Sequence, residues 1–348
     1  MLGVSLFPGL DIAWAEYARY LDSAKALGFG LVFSSLHIPE ADERRLAREV
    51  DLMIAHCQKL GLKLVIDTSK EYFDRYDWAT MPLHALRLDF GFSDEEIVAL
   101  SHQLSCKISL NASVISQENW QNLVRLGLNV AHVEVCHNYY PREDTGISAE
   151  LLAQRNHFFH EMGFSTMAFV ASHYRPRAPL YAGLPTLEQH RNLLPAVAMQ
   201  HLWQLGTEHV IIGDAMASVA ELEQCSLLSP RRLTLFVTPQ ADLQPSEVAL
   251  LQAEHTNRTD MGECVVRSQE SRLLMKHLLP IEARSPQTRA PYTVAVDNQA
   301  YPRYHGELQI VAFSRPADER VNVIADASPS AILIDGMRGG EPFSFVRM

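Results

Sequence analysis

From residue 3 to about 225, short apolar runs rich in β-branched residues alternate with longer segments whose apolar residues recur at helical spacing. This alternation constrains the fold more than any other feature. Parallel strands cannot be joined by a tight turn, so a strand–helix–strand texture means a parallel sheet with helices on its outside. The strand candidates are GVSLFPG from 3, GLVFSSLHIP from 30, KLVIDTS from 63, ALRLDFG from 85, KISLNAS from 107, VAHVEVCHN from 130, STMAFVAS from 165 and HVIIGD from 209, eight in all. Amphipathic segments between them end at Gly28, Gly61, Gly127, Gly163 and Gly206, where a left-handed residue can stop a helix before the next strand. Eight consecutive units predict an α/β fold of the closed (βα)8 TIM-barrel type. A doubly wound open sheet is disfavoured, because it rarely runs to eight such units and no GxGxxG follows the first strand.

After Cys225 the helical texture stops. SPRRLTLFVTP, YTVAVDN, GELQIVAF, RVNVIAD and AILIDG read as short strands, LQPSEVALLQAEH as a helix and residues 280–291 as a proline-rich loop. We therefore expect a barrel domain over 1–230 and a small, mostly-β barrel or sandwich over 231–348.

The formal net charge of −11 opposes both nucleic acid and an anionic membrane as partners, which leaves small-molecule chemistry. Five scattered cysteines without a CxxC pair form neither a disulfide framework nor a zinc signature. MLGVSLFPGLDIAW has no basic stretch or long apolar core of a signal peptide, and no run approaches the length of a membrane span. These features lead us to expect a cytoplasmic protein with reduced thiols, no cofactor and no metal. Its oligomeric state is unread.

Alternation along the barrel strands sorts interior from exterior, and polar residues near strand carboxyl ends are where such barrels keep their chemistry. In ALRLDFG, the apolar face of Leu86, Leu88 and Phe90 leaves Arg87 and Asp89 inward. The inward set is Val65, Asp67 and Ser69 on KLVIDTS, Ser109, Asn111 and Ser113 on KISLNAS, and His132, Glu134, Cys136 and Asn138 on the next strand. Ionised carboxylates inside a closed barrel are costly unless paired, so Asp67, Asp89 and Glu134 together are candidate catalytic acids and bases. An internal salt-bridge network around Arg87 is the structural alternative. Oxygen-ligated divalent metal is a weaker one, and the histidines lack zinc spacing.

Other polar residues cluster at strand ends and in the loops beyond them. Glu40 and Asp214 lie at strand ends, and Asp214 can instead cap the following helix. The loop after the seventh strand carries Ser172, His173, Arg175 and Arg177, as a phosphate loop or as a solvated basic one. HNYYPREDTGIS brings His137, Asn138, two tyrosines and Arg142 to the rim, as sugar-stacking loops and ordinary loops both do. Further along, HTNRTDMGECVVRSQESR gathers Arg258, Arg267 and Arg272 for an anion or for salt bridges.

The ordered motifs LHIPE, RLDFGF, NAS, HNYYPREDTG, LPTLEQHR, HTNRTD with VVRSQESR, and DNQAYPRYHGELQI with RVNVIAD resemble the bacterial 6-phospho-N-acetylmuramidase family over nearly the whole chain. The resemblance implies a TIM barrel followed by a cyclophilin-like β-barrel domain. It also implies a glycosidase that splits the phosphorylated disaccharide of 6-phospho-N-acetylmuramic acid and N-acetylglucosamine in cytoplasmic cell-wall sugar recycling. Such a substrate carries a phosphate and a lactyl carboxylate, for which Arg87, Arg142, Arg175, Arg177 and Arg258 are the available cations. Asn111 would then orient the acetamido group or an acid, and His137 would bind a sugar hydroxyl. The rival readings are a metal-assisted lyase or aldolase acting on a sugar phosphate, and a non-catalytic sugar-phosphate binding or regulatory protein.

Overall fold

The computed structural model describes every residue, 1–348, and its contacts divide into two compact units, Met1–Leu227 and Leu228–Met348. In the first unit the strands are β1 (Leu2–Ser5), β2 (Leu31–Ser35), β3 (Lys63–Thr68), β4 (Ala85–Leu88), β5 (Lys107–Asn111), β6 (Val133–Cys136), β7 (Thr166–Val170) and β8 (His209–Ile212). They are parallel, pair in chain order, and close through β8 on β1 into the barrel the texture predicts.

Helices α1 (Trp14–Ala26), α2 (Glu43–Leu60), α3 (Lys70–Phe73), α4 (Asp94–Gln103), α5 (Gln117–Arg125), α6 (Ala149–Glu161), α7 (Pro195–Gln204) and α8 (Val219–Ser226) form the crossovers. The five glycines at or just past helix ends all have positive φ, Gly61 at 62° as the left-handed cap of α2. Ser93, Ser116 and Ser218 start α4, α5 and α8 with reciprocal capping boxes, so several helix boundaries are set by local hydrogen bonds.

Inside the barrel Leu31, Phe33, Val65, Ala85, Cys136, Met167, Phe169 and Ile211 pack in one buried cluster. Phe33 meets Phe169 edge-to-face at 4.9 Å, and Tyr139 lies on both rings. The barrel is thus filled below its mouth, which leaves the carboxyl ends of the strands for polar groups.

In the second unit β9 (Leu233–Pro239), α9 (Pro245–Gln252), β10 (Glu254–Thr256), β11 (Val265–Arg267), α10 (Ser271–Leu274), β12 (Thr293–Asp297), β13 (Leu308–Val311), β14 (Val321–Asp326), α11 (Ala331–Asp335) and β15 (Pro342–Arg347) build a curled, mixed seven-stranded sheet. Its order is β10-β15-β9-β14-β12-β13-β11, with β15 parallel to β9 and the other pairs antiparallel.

Two elements differ from expectation. AILIDG is not a strand but mostly the short helix α11, since a four-residue apolar run fits either period and the preceding Ser328–Ser330 turn starts a helix. VAHVEVCHN begins as the 3-10 turn Val130–His132, and only then enters β6. No helix is long and apolar enough to cross a membrane.

Burial pushes the Asp297 carboxyl of β12 up to about 7, with the neighbouring Glu307 charge adding to the shift. A raised carboxyl stabilises the fold below its unfolded pKa and loses that contribution as pH rises toward 7. Asp297→Asn is expected to flatten this dependence, read as the urea midpoint of the second unit between pH 5 and 8; an unchanged slope would show that Asp297 is not its source.

Candidate active site

Strand register builds the site. Ser35 pairs with Asp67, Asp67 with Arg87 and Arg87 with Ser109, so β2 to β5 set polar side chains side by side. Two residues further along, His37, Asp89, Asn111 and Asn138 continue the same inward faces. The Arg87 guanidinium, 3% exposed, donates from Nη1 to Asp67 Oδ1 at 2.6 Å and to Asp89 Oδ1 at 3.2 Å, and from Nη2 to Asn138 Oδ1. Asn111 Nδ2 donates to the same Asn138 oxygen at 2.9 Å, while its own Oδ1 takes the Ser113 amide. Asp67, Arg87, Asp89, Asn111 and Asn138 thus form one connected network.

His37 completes it. Its Nε2 is 3.3 Å from Asp89 Oδ2 and 3.7 Å from Asp67 Oδ2, its Nδ1 is 3.3 Å from Ser35 Oγ, and its ring packs edge-on against Phe90 at 5.7 Å. Sequence reasoning missed His37, although Leu31, Phe33, Ser35 and His37 follow one period-two face and the signal was present.

Charge balance fixes how these groups ionise. Burial pushes the Asp67 carboxyl above the usual carboxylate range against the pull of Arg87. At Asp89 burial acts in the same sense, but hydrogen bonds from His37 and Arg87 outweigh it and hold this carboxyl below the usual range. Burial works to lower His37, and the Asp89 and Asp67 carboxylates overcome it and raise it. The cluster thus holds an ionised Asp89, a His37 whose protonated form is favoured and the buried Asp67 carboxyl.

Ligand atoms of His37, Asp67 and Asp89 lie within 4.8 Å of one another, a spacing that can hold a divalent ion. Arg87 already supplies both carboxylates with positive charge at hydrogen-bond distance, and a divalent ion there would repel it. Turnover is expected to be unchanged by chelator treatment; loss of turnover restored by a divalent ion would overturn this reading.

Several other expected site residues lie elsewhere. Glu134 faces inward, but it lines a cavity at the amino ends of the strands with Lys63, His84 and Lys107, and its Oε2 lies 3.1 Å from His84 Nε2. Alternation gives the face of a strand, not its height, and the stagger of a closed barrel lowers β6 relative to β3 and β4. His137 faces away from the interior, fully buried between Ser113 Oγ at 3.2 Å and Asn156 Oδ1 at 3.0 Å, where burial pushes it down to about 4. It is a packed core histidine, not a sugar ligand.

Asp214 is neither ligand nor cap, because Ser218 caps α8. Buried and at φ 74°, its carboxylate accepts the amides of Ser172, Leu184 and Arg177 at 3.0, 3.1 and 3.0 Å. Asp214→Ala would orphan these amides and is expected to cost roughly 3 kcal/mol or more in urea unfolding of the barrel; a loss under about 1 kcal/mol would refute the clamp.

The loop after β7 splits in two. Ser172 is buried with its hydroxyl shared between Met216 O and Glu221, the His173 amide donates to Glu221 while its ring is exposed, and Arg175 is paired with Glu16 of α1 at 3.2 Å. Ser172 and Arg175 are thereby used up in structure. Arg177 makes no salt bridge: Nη1 donates to Tyr139 Oη at 3.1 Å, Nε is buried without a partner, and the guanidinium lies over the Phe7 and Tyr139 rings at 4.9 and 5.3 Å. Glu40 and Arg142 are exposed on their loops. Arg258 belongs to the second unit, where Asp260 holds it bidentately at 2.8 and 3.0 Å.

Two family matches span this framework: the 6-phospho-N-acetylmuramidase N-terminal family over residues 2–227 and its C-terminal counterpart over 233–346. The chain belongs to the 6-phospho-N-acetylmuramidase family. It is therefore a glycosidase, which fits a carboxylate pair at the mouth of a TIM barrel. Among solved structures, a B. cereus protein described as uncharacterized is 28% identical with a TM-score of 0.87 over 99% of both chains. An Enterococcus faecalis protein described as conserved and of unknown function is 30% identical with a TM-score of 0.80, covering 100% of this chain and 96% of its own. No curated protein matches the sequence.

Proposed function

We propose that this 6-phospho-N-acetylmuramidase-family enzyme cleaves the disaccharide of 6-phospho-N-acetylmuramic acid and N-acetylglucosamine in the cytoplasm, during recovery of cell-wall sugars. The observation that carries the reading is the Asp67–Arg87–Asp89–His37 cluster, together with Arg177, which makes no salt bridge and lies against Tyr139. Cleavage needs a proton on the departing oxygen and negative charge beside the developing sugar cation. Asp89, ionised and more open than Asp67, supplies the charge. Asp67, whose carboxyl burial raises, holds the proton that passes to the departing oxygen, and the carboxylate left on Asp67 is then balanced by Arg87.

The two carboxylates are too close to admit the attacking water of an inverting pair, which needs roughly 6.5–9.5 Å between carboxyl groups. Both Asp89 oxygens are already engaged by Arg87 and His37, so we assign the internal nucleophile to the acetamido oxygen of the muramyl sugar, with Asn111 and Asn138 steadying the amide. Retention of anomeric configuration, read by NMR of the first product, is the expected result; inversion would overturn this route.

Arg177, with Arg142 on the neighbouring loop, supplies positive charge for the phosphate or the lactyl carboxylate, and the exposed ring of Phe90 offers a sugar-stacking face beside His37. Glu40 and His173 are proposed rim contacts. Purified protein is expected to turn over the phosphorylated disaccharide much faster than its unphosphorylated counterpart. Equal rates on both, or no product, would refute the substrate assignment. Arg177→Ala is expected to raise KM for the phosphorylated substrate by about tenfold or more and to narrow that preference.

A further inference from the structure

We propose that the second unit carries an anion pocket of its own, built for a phosphomonoester on a small metabolite. An open cavity of about 490 Å³ is walled by Arg258, Arg272, Lys276, Arg303 and His305. Ser268 and Gln269 add neutral polar groups, and no carboxylate residue lines it. In a chain of net charge −11, a pocket wall with four permanent cations and no acid departs from the mixed charge of an ordinary solvated surface.

The cations converge from separate segments. Arg258 follows β10, Arg272 lies on α10, Lys276 on the 3-10 turn Met275–His277, and Arg303 and His305 on the loop before β13. Gly306 fixes the last two pieces against each other. At φ +82° it packs so tightly on Met275 that a Cβ would stand 1.9 Å from Met275 Cγ. The walls are therefore held by packing, not brought together by chance on a mobile surface.

Neutralisation inside the unit is incomplete. Arg258 is held by Asp260, and Arg272 Nη1 lies 3.5 Å from Glu307 Oε2, while Lys276 and Arg303 are exposed and make no ion pair. His305 Nε2 accepts the Ile281 amide at 3.0 Å, which leaves Nδ1 to carry the ring proton as a donor. Two unpaired cations, two partly paired arginines and neutral donors suit a dianion with several oxygens better than a single carboxylate. The volume is that of a small-molecule site, which commonly spans about 300–1,000 Å³.

Binding to the full-length protein is measured by calorimetric titration with inorganic phosphate and with glucose 6-phosphate at low ionic strength. The test variant is Lys276→Ala/Arg303→Ala, whose two side chains make no ion pair in the fold; Arg303→Lys serves as the conservative control. One binding event is expected to weaken by at least about tenfold in the double variant and to persist in the control, with an unchanged Tm in both. Identical stoichiometry and affinity in wild type and double variant would overturn the pocket. The disaccharide assay separates the sources of the phosphate. A raised KM in the double variant assigns the site to the substrate's own phosphate, and an unchanged KM assigns it to a free sugar phosphate. Because phosphate binding is read without turnover, this inference stands or falls independently of the glycosidase mechanism.

Discussion

Asp89→Asn is expected to lower kcat by at least about 100-fold while leaving Tm almost unchanged. Asparagine keeps the size of the side chain and a carbonyl oxygen for Arg87, so the network loses charge but not shape. In the proposed reaction the variant lacks the anion that stabilises the developing sugar cation, an interaction stronger in the transition state than in the ground state, so kcat should fall more than KM rises. Glu134→Gln is the matched control. It removes an inward carboxylate of the same barrel from the amino ends of the strands, and activity should stay within about twofold. Wild-type turnover in Asp89→Asn, or an equal collapse in Glu134→Gln, would sink the assignment of the reacting pair.

Arg87→Met carries the second large effect. The guanidinium is 3% exposed and bridges Asp67, Asp89 and Asn138, so its removal leaves two carboxylates facing each other in a nearly closed space. Breaking a buried ion pair from one side typically costs about 3–5 kcal/mol. The sign of its pH dependence follows from Asp67, which burial already raises and which loses its main counter-charge in this variant. A carboxyl raised above its unfolded pKa adds stability at low pH and loses it as pH rises through the folded value, so the deficit should shrink on acidification. His37 and Asp89 bracket the wild type from opposite sides: the raised histidine favours the fold below its folded pKa, and the lowered aspartate favours it above its own. Urea midpoints of both proteins at pH 5 and pH 8 test this. A deficit that grows toward acid would refute the ionisation scheme.

The barrel was legible because its signals are local and repeated. Period-two strands, glycine stops and serine caps each act within a few residues, and eight repetitions leave few alternatives. The faces of Asp67, Arg87, Asp89 and Asn111 were legible for the same reason. Height along the barrel was not, since it depends on the stagger of the closed sheet, and Glu134 was misplaced on that ground alone. Arg175 and Arg177, two positions apart on one loop, could not be separated in advance, because their difference lies in a distant partner, Glu16 of α1. His137 next to Asn138 shows the limit at strand exits: one residue of phase decides between core and cavity.

The clamp formed by Asp214 has a kinetic consequence. One carboxylate gathers amides from both ends of the loop that carries Arg177, with Arg177 among them, so this segment is tied into the barrel wall. A binding arm fixed before the ligand arrives needs no ordering step on encounter. Substrate capture should then be a single-step association whose observed rate rises linearly with concentration, without the plateau that a closing lid imposes.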